Sequence, residues 1–210
     1  MSTTETPEPA QPRRRLSRED RQRQLLDVAW QLIREEGTDA LTLGYLAEKA
    51  GVTKPVVYDH FTTRAGLLAA LYQDFDRRQT ALMDAALANA EATLTGTATV
   101  IATAYVDCVL TQGNEIPGVI AALASTPELE KIKREYEAIF LEKCRRVLSP
   151  FADGAEIGQA GLRAMLGAAE ALSQAAATDE ISAVQARDEL FATIIAMVER
   201  AAARTLKAGD

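Results

Sequence analysis

Residues 42–61 read T-L-G-Y-L-A-E-K-A-G-V-T-K-P-V-V-Y-D-H-F. The spacing of the apolar residues in the first half predicts a short helix that ends near Gly51, the residue type that tolerates a left-handed turn. A second short helix is predicted over Lys54 to Phe61. Pro55 falls in its first turn, where the missing N–H costs no intrahelical hydrogen bond. Two short helices joined by a tight turn predict a helix-turn-helix, although any amphipathic helix pair can imitate this pattern.

The second of these helices has one face suited to packing and one end suited to DNA. At 100° per residue, Val57 and Phe61 share an inward face. Recognition helices reach base edges mainly through their N-terminal end. Lys54 could donate to guanine O6 and N7, or serve only as a solvated cap residue. The base-contacting candidates are therefore Thr53, Lys54, Pro55 and Val56.

The run that continues from Thr42 through T-T-R-A-G-L-L-A-A-L to Leu71 resembles the DNA-binding domain of TetR-family transcriptional regulators. The resemblance extends from Leu25 to near Tyr72. It implies a cytoplasmic homodimer that binds a palindromic operator, usually as a repressor released by a small ligand. One departure is Ala65, where an acidic residue is often found. The matching positions are Thr42, Leu46, Ala47, Ala50, Gly51, Val52, Tyr58, Phe61, Arg64, Leu67 and Leu68.

The resemblance also implies contacts with the DNA backbone. Tyr58, His60 and Arg64 match phosphate-contacting positions, and Arg64 begins a helix whose partial positive charge adds to the attraction. Thr42 could bond a phosphate through its hydroxyl and nearby amides. Tyr58 could instead serve mainly in packing. Asp59 faces outward. It could accept a hydrogen bond from cytosine N4, pair with a nearby basic residue, or simply avoid the DNA backbone.

Charge is distributed unevenly along the chain. The net charge of −7 argues against a protein whose whole surface coats nucleic acid. The segment from Arg13 to Arg64, however, holds ten basic and eight acidic residues, a local excess of +2. Residues 1–16 are predicted to be a disordered tail that ends in a basic arm. Its arginines Arg13, Arg14 and Arg15 could touch the DNA backbone or minor groove, or only increase solubility.

The whole chain is predicted to be all-α, because alanine is plentiful and aromatic residues make up only 5% of the composition. We expect a helix-turn-helix domain over residues 17–63, which contributes three helices. A long helix from Arg64 joins it to a helical effector-binding and dimerisation domain over residues 64–210. Helices near 155–177 and 182–206 are candidates for dimerisation, with internal packing as the alternative.

Two groups of residues in this second domain are candidate sites. A mostly apolar effector pocket is expected between helices, although any of its residues could be ordinary core. The pocket candidates are Tyr105, Cys108, Gln112, Tyr136, Phe140 and Met165. The candidates for the dimer interface are Leu162, Leu166, Leu190, Phe191, Ile194, Ile195 and Val198.

Other classes of function find little support in the sequence. One histidine and two isolated cysteines predict neither a metal site nor a cofactor, and they exclude His60 as a zinc ligand. No Glu-x-x-His pair, phosphate loop or nucleophile–base pair indicates an enzyme. No membrane-spanning stretch or signal core is expected, which favours the cytoplasm. An activator, or a regulator without a ligand, is the alternative within DNA binding. A protein-interaction bundle would leave Lys54, Tyr58 and Arg64 unexplained.

Overall fold

A computed structural model describes residues 16–112, 115–123 and 127–208. These residues form nine α-helices and two short 3₁₀ turns, Thr38–Ala40 and Ser149–Phe151, and no strand occurs among them. The prediction of an all-α fold is confirmed. The helices are α1 (Arg18–Glu36), α2 (Leu43–Lys49), α3 (Lys54–Phe61), α4 (Arg64–Asn89), α5 (Leu94–Gln112), α6 (Glu115–Leu123), α7 (Pro127–Leu148), α8 (Gln159–Ala177) and α9 (Ala183–Ala208).

Side-chain caps start the helices at the N-terminal end of the chain. The hydroxyls of Ser17, Thr42 and Thr63 accept hydrogen bonds from backbone N–H groups in the first turns of α1, α2 and α4. Each cap satisfies an N–H group that has no partner inside its own helix. Gly37 and Gly51, with φ of 82° and 64°, follow α1 and α2. Their backbone conformation is one that residues with a Cβ rarely adopt.

The buried residues form two hydrophobic cores. The N-terminal core combines α1, α2, α3 and the first half of α4, and Leu25, Leu46, Val57 and Leu67 are fully buried in it. The C-terminal core combines the second half of α4 with α5, α7, α8 and α9. Because α4 contributes to both, it connects them, together with α7, whose Ile132 and Tyr136 pack against the N-terminal core.

A further connection comes from α6. Val119 on this helix is fully buried in the N-terminal core, although it lies far along the chain from the rest of that core. Its neighbour Gly118 approaches the turn after α1, where an added Cβ would lie 2.5 Å from Thr38 Oγ1. The position of α6 therefore depends on the N-terminal domain.

Helix α5 corrects one expectation from the sequence. Its segment Leu94–Thr111 is long and apolar enough to cross a membrane by length and composition. In the structure Ala98, Ile101 and Val106 are buried in the C-terminal core, where α5 packs against α4, α8 and α9. A helix surrounded by other helices of its own domain needs apolar residues on several sides.

Candidate nucleic-acid interface and internal cavity

The N-terminal end of α3 is exposed, as the helical period predicted. Val57 and Phe61 are buried against the rest of the domain. Thr53, Lys54 and Pro55 are exposed and Val56 is partly exposed. Thr53 caps α3 through its backbone only, so its hydroxyl makes no capping bond. The four candidate base-contacting residues thus lie together at one end of the helix, and their contacts with DNA stay a prediction.

Gly44 of α2 lies beside this end of α3, and Thr42 is the N-cap residue of α2. The Lys54 side chain extends over Gly44, where an added Cβ would lie 3.6 Å from Lys54 Cε. Thr42 Oγ1 accepts from the Tyr45 N–H at 3.1 Å, while its own hydroxyl hydrogen can still be donated. Thr42 is exposed two residues before Gly44.

Arg18 and Asp59 connect the start of α1 to the end of α3. The Arg18 guanidinium donates to the backbone carbonyl of Asp59 at 3.2 Å. The Asp59 carboxylate oxygen Oδ2 lies 3.5 Å from Arg18 Nη1. Asp59 thus pairs with a basic residue of the protein, which is one of the three interpretations that the sequence left open. Both side chains are exposed, so the pair contributes little to stability. Sequence reasoning missed Arg18, because the two residues are 41 positions apart and no local pattern joins them.

Tyr58 and His60 both lie in the C-terminal half of α3. Tyr58 is 49% exposed, so internal packing does not account for it. The pKa of His60 is lowered, first by partial burial and then by the positive charges of Arg18 and Arg21, with Asp59 opposing them. Because its pKa is below the ordinary value of 6.5, the imidazole is mainly neutral at pH 7. In this form it can donate one N–H to a phosphate.

Arg64 has a structural role that the sequence did not predict. Its Nε donates to the Leu41 carbonyl at 2.9 Å and its second terminal nitrogen donates to the Thr38 carbonyl at 2.8 Å. These bonds hold the turn between α1 and α2 against the start of α4. The expected phosphate contact of Arg64 stays a prediction. The three N–H groups of the guanidinium that make neither of these bonds would have to donate to the phosphate. Arg13, Arg14 and Arg15 lie outside the described residues.

A buried carboxylate fastens α1 to α4. Asp74, only 4% exposed, accepts from Trp30 Nε1 at 3.3 Å and pairs with Arg77 and Arg78. Arg78 also reaches Asp27 on α1 at 3.6 Å. A charge this deeply buried is tolerated only when donors surround it. These contacts therefore join α1 directly to α4.

A cavity of about 130 Å³ lies against the opposite face of α4, where residues of both cores form its wall. Helices α4 to α8 all contribute to its wall. Four predicted pocket residues line it, namely Tyr105, Cys108, Tyr136 and Phe140. Ile120 of α6 also reaches the wall, directly after the residue that is buried in the N-terminal core.

Two of the pocket predictions have a different outcome. The prediction that Met165 lines the pocket was wrong. Met165 is 1% exposed in the C-terminal core, and its neighbour Leu166 lines the cavity instead. The side chain of Gln112 lies outside the described residues. Sequence reasoning also missed Asp76, which lies on the cavity face of α4 four residues after Tyr72. No pocket residue was predicted on α4, so the helical period gave no reason to single out Asp76.

The thiol groups of the protein are held in their neutral form. Burial, with a contribution from Asp76, raises the pKa of Cys108 to about 12, and burial raises the pKa of Cys144 to about 12. Only the thiolate is a strong nucleophile. Cys108 therefore acts as part of an apolar wall.

The predicted dimer interface needs correction. Leu162, Leu166, Leu190, Ile194 and Val198 are at most 5% exposed, because they pack α8 and α9 against each other and α5 inside one chain. They cannot contact a second copy. Phe191 and Ile195 are only partly buried and remain available at the surface. The apolar width of these helices, which suggested a dimer, is used instead by the protomer's own core.

Comparisons with known proteins agree with this geometry. Residues 25–71 match the family model for bacterial regulatory proteins of the tetR family. Over 59 residues the chain is 39% identical to the HTH-type transcriptional activator FasR of Mycolicibacterium smegmatis. That alignment spans 28% of this chain and 27% of FasR, so it concerns only a part of each protein.

Solved structures resemble the chain over most of its length. A TetR-family transcriptional regulator from Streptomyces coelicolor has a TM-score of 0.65 and 16% identity, and the match covers 88% of this chain and 97% of that one. The fatty acid degradation regulator FadR from Bacillus halodurans has a TM-score of 0.66 and 15% identity, with 82% and 96% covered. At such identities these structures support the fold alone. Residues 25–71, which include the helix-turn-helix, therefore match the DNA-binding domain of the tetR family, and the chain has the fold of TetR-family transcriptional regulators.

Proposed function

We propose that the protein represses transcription by binding a palindromic operator as a homodimer, and that a small molecule in the cavity releases it. The observation that carries this proposal is the position of α4. One face of this helix is fastened to α1 of the DNA-binding domain through Asp74, and another lines the cavity. A ligand that prefers one position of α4 would change the spacing of the two recognition helices in a dimer, and hence operator affinity.

The proposed DNA contacts divide into two kinds. Thr53, Lys54, Pro55 and Val56 would contact bases in the major groove, because they occupy the exposed N-terminal end of α3. Thr42, Tyr58, His60 and Arg64 would contact phosphates, with the arginines 13–15 as a further arm. Phosphate contacts release counterions, so affinity should fall steeply with salt.

A homodimer is proposed through the outer faces of α8 and α9. On α8 the exposed residues Ala164, Gly167 and Ala171 are small and permit close approach of a second helix. On α9, Phe191 and Ile195 are partly exposed and Val184 is 59% exposed. Two copies of such a face could pair about a twofold axis, which would also give the two recognition helices the symmetry of a palindrome.

Selection of bound fragments from genomic DNA tests this proposal directly. We expect an inverted repeat to be enriched, and footprinting on that repeat should show two protected half-sites about one helical turn apart. Promoter activity in vitro should fall when protein is added to a template that carries the repeat. Enrichment of sequences without an inverted repeat would contradict the proposed operator.

An activator is a second candidate, because the relative FasR is named a transcriptional activator. The match covers 59 residues, 27% of FasR, so the similarity alone does not decide the sign of the effect in this chain. The same in vitro transcription experiment separates the candidates: an activator raises transcript yield from the template. In either case we propose a DNA-binding protein of the cytoplasm that catalyses no reaction.

A further inference from the structure

Acidic residues outnumber basic residues on the cavity wall. Asp76, Glu137 and Glu170 contribute three carboxylates, whereas Lys133 contributes one ammonium group. The remainder of the wall is largely apolar. A ligand that enters therefore meets an excess of negative charge, and the pairing of these groups decides where that excess lies.

Most of these charges neutralise one another. Lys133 Nζ lies 3.1 Å from Glu137 and 3.5 Å from Glu170. Glu137 also accepts from Arg163 at 2.8 Å. An anionic ligand would have to compete with two carboxylates for Lys133, which makes this end of the cavity unfavourable for an acid.

Asp76 differs from these residues because it has no such partner. Among the described residues, none donates a hydrogen bond to its carboxylate or forms an ion pair with it. Burial raises its pKa, and Lys143 acts against that shift through space. Lys143 itself is bonded to Asp84 at 2.7 Å and does not line the cavity. Within the part of the chain that the structure describes, the half-buried Asp76 carboxylate thus lies on the wall without an ion-pair partner.

Five aromatic rings share the cavity with Asp76. Tyr72 and Tyr136 meet edge to face at 5.4 Å between ring centroids, and Tyr105 lies 5.6 Å from Phe140. Phe75, on the same α4 face, is the fifth. Aromatic faces attract cations, above all organic ammonium groups, when water is excluded. The rings and the unpaired carboxylate favour the same class of ligand.

We propose that the cavity binds a small organic cation, a protonated or quaternary amine with apolar or aromatic substituents, whose charge pairs with Asp76. This proposal deepens the proposed effector role of the cavity and rests on it for its regulatory meaning. Asp76 follows Asp74 by two residues, so the two carboxylates project from different faces of α4, one toward the cavity and one toward α1. A cation bound at Asp76 would act on the helix that holds the DNA-binding domain.

The experiment compares three probes of similar size on the full-length, DNA-free protein by isothermal titration calorimetry. The probes are benzyltrimethylammonium as the cation, N-benzylacetamide as the neutral compound and phenylacetate as the anion. We expect the cation to bind about tenfold more tightly than either of the others. In Asp76→Asn this preference should disappear, while binding of N-benzylacetamide is unchanged. Asp179→Asn, at an exposed turn between α8 and α9, is the matched control and should keep the preference.

The outcomes separate this proposal from the proposed function. Equal binding of all three probes, tighter binding of phenylacetate, or an unchanged preference in Asp76→Asn would overturn the cation assignment, even if operator binding is intact. The selectivity of the wild-type protein tests the proposal without any variant. Fluorescence anisotropy of labelled operator DNA is measured separately. Loss of the inverted-repeat interaction with cation selectivity intact would overturn the operator proposal and leave the ligand class standing.

Discussion

Lys54 is the residue at the DNA surface whose chemistry points most directly to base recognition. It is exposed at the first turn of α3, and its ammonium can donate to guanine O6 and N7. We expect Lys54→Ala to relax base preference at one operator position, at a cost of about 1–3 kcal/mol for the preferred base. Affinities for operators substituted at each position measure this effect. A uniform loss for all bases would instead assign Lys54 to the phosphate backbone.

Arg64 illustrates how a single side chain can affect both folding and binding. Its guanidinium holds the carbonyls of Thr38 and Leu41, two backbone acceptors of the turn that precedes α2. We expect Arg64→Ala to lower the free energy of unfolding by about 1–3 kcal/mol and to weaken binding to all DNA sequences alike. Chemical denaturation and binding to unrelated DNA measure the two effects. The exposed Arg146→Ala is the control, and equal stability of both variants would contradict the role of Arg64.

At the scale of elements, the connection between α1 and α4 depends on a buried charge. Asp74 accepts from Trp30 and pairs with two arginines, so its replacement by asparagine weakens several charge-assisted bonds at once. We expect Asp74→Asn to lower the free energy of unfolding by about 1–3 kcal/mol. Thermal and denaturant unfolding measure this, with Asp179→Asn as the exposed control. An unchanged stability would mean that α1 and α4 are held by apolar packing alone.

Helices α8 and α9 show a division between inner and outer faces that decides where a partner could bind. Ile195 is on the outer part of α9, whereas Ile194 is fully buried. We expect Ile195→Asp to reduce the mass in solution from a dimer to a monomer while the fold is retained. Light scattering measures the mass and circular dichroism the fold. A folded protein that stays dimeric would place the interface elsewhere. Ile194→Asp should unfold the domain, because it buries an unpaired charge.

At the scale of the whole molecule, α6 supplies a further route between the cavity and the DNA-binding domain. Val119 is buried in the N-terminal core, and the adjacent Ile120 lines the cavity. We expect Val119→Ala to lower the free energy of unfolding by about 1–3 kcal/mol, from lost burial and the cavity left behind. It should also reduce the change in operator affinity that a ligand produces. Operator titrations with and without benzyltrimethylammonium measure this, and an unchanged ratio would assign the coupling to α4 and α7, which also join the two cores.

The sequence by itself determined the helices and the exposed end of α3. Caps, turn glycines and the 100° period act over a few residues, so Thr42, Gly51, Val57 and Phe61 could be placed without a structure. The helical period also put Tyr105 and Cys108 on one face of α5, and both line the cavity, while their role in binding an effector stays a prediction. The domain boundary at Arg64 stays a prediction.

Only the tertiary structure decided which face of each helix meets its neighbours. The pairing of Arg18 with Asp59, the backbone acceptors of Arg64 and the entry of Val119 into the N-terminal core each join residues far apart along the chain. Helical period identifies an apolar face but not whether it packs within one protomer or against a second, which is why Leu190 and Val198 were misassigned. That Asp76 has no ion-pair partner among the described residues likewise becomes visible only when the donors around it have positions in space.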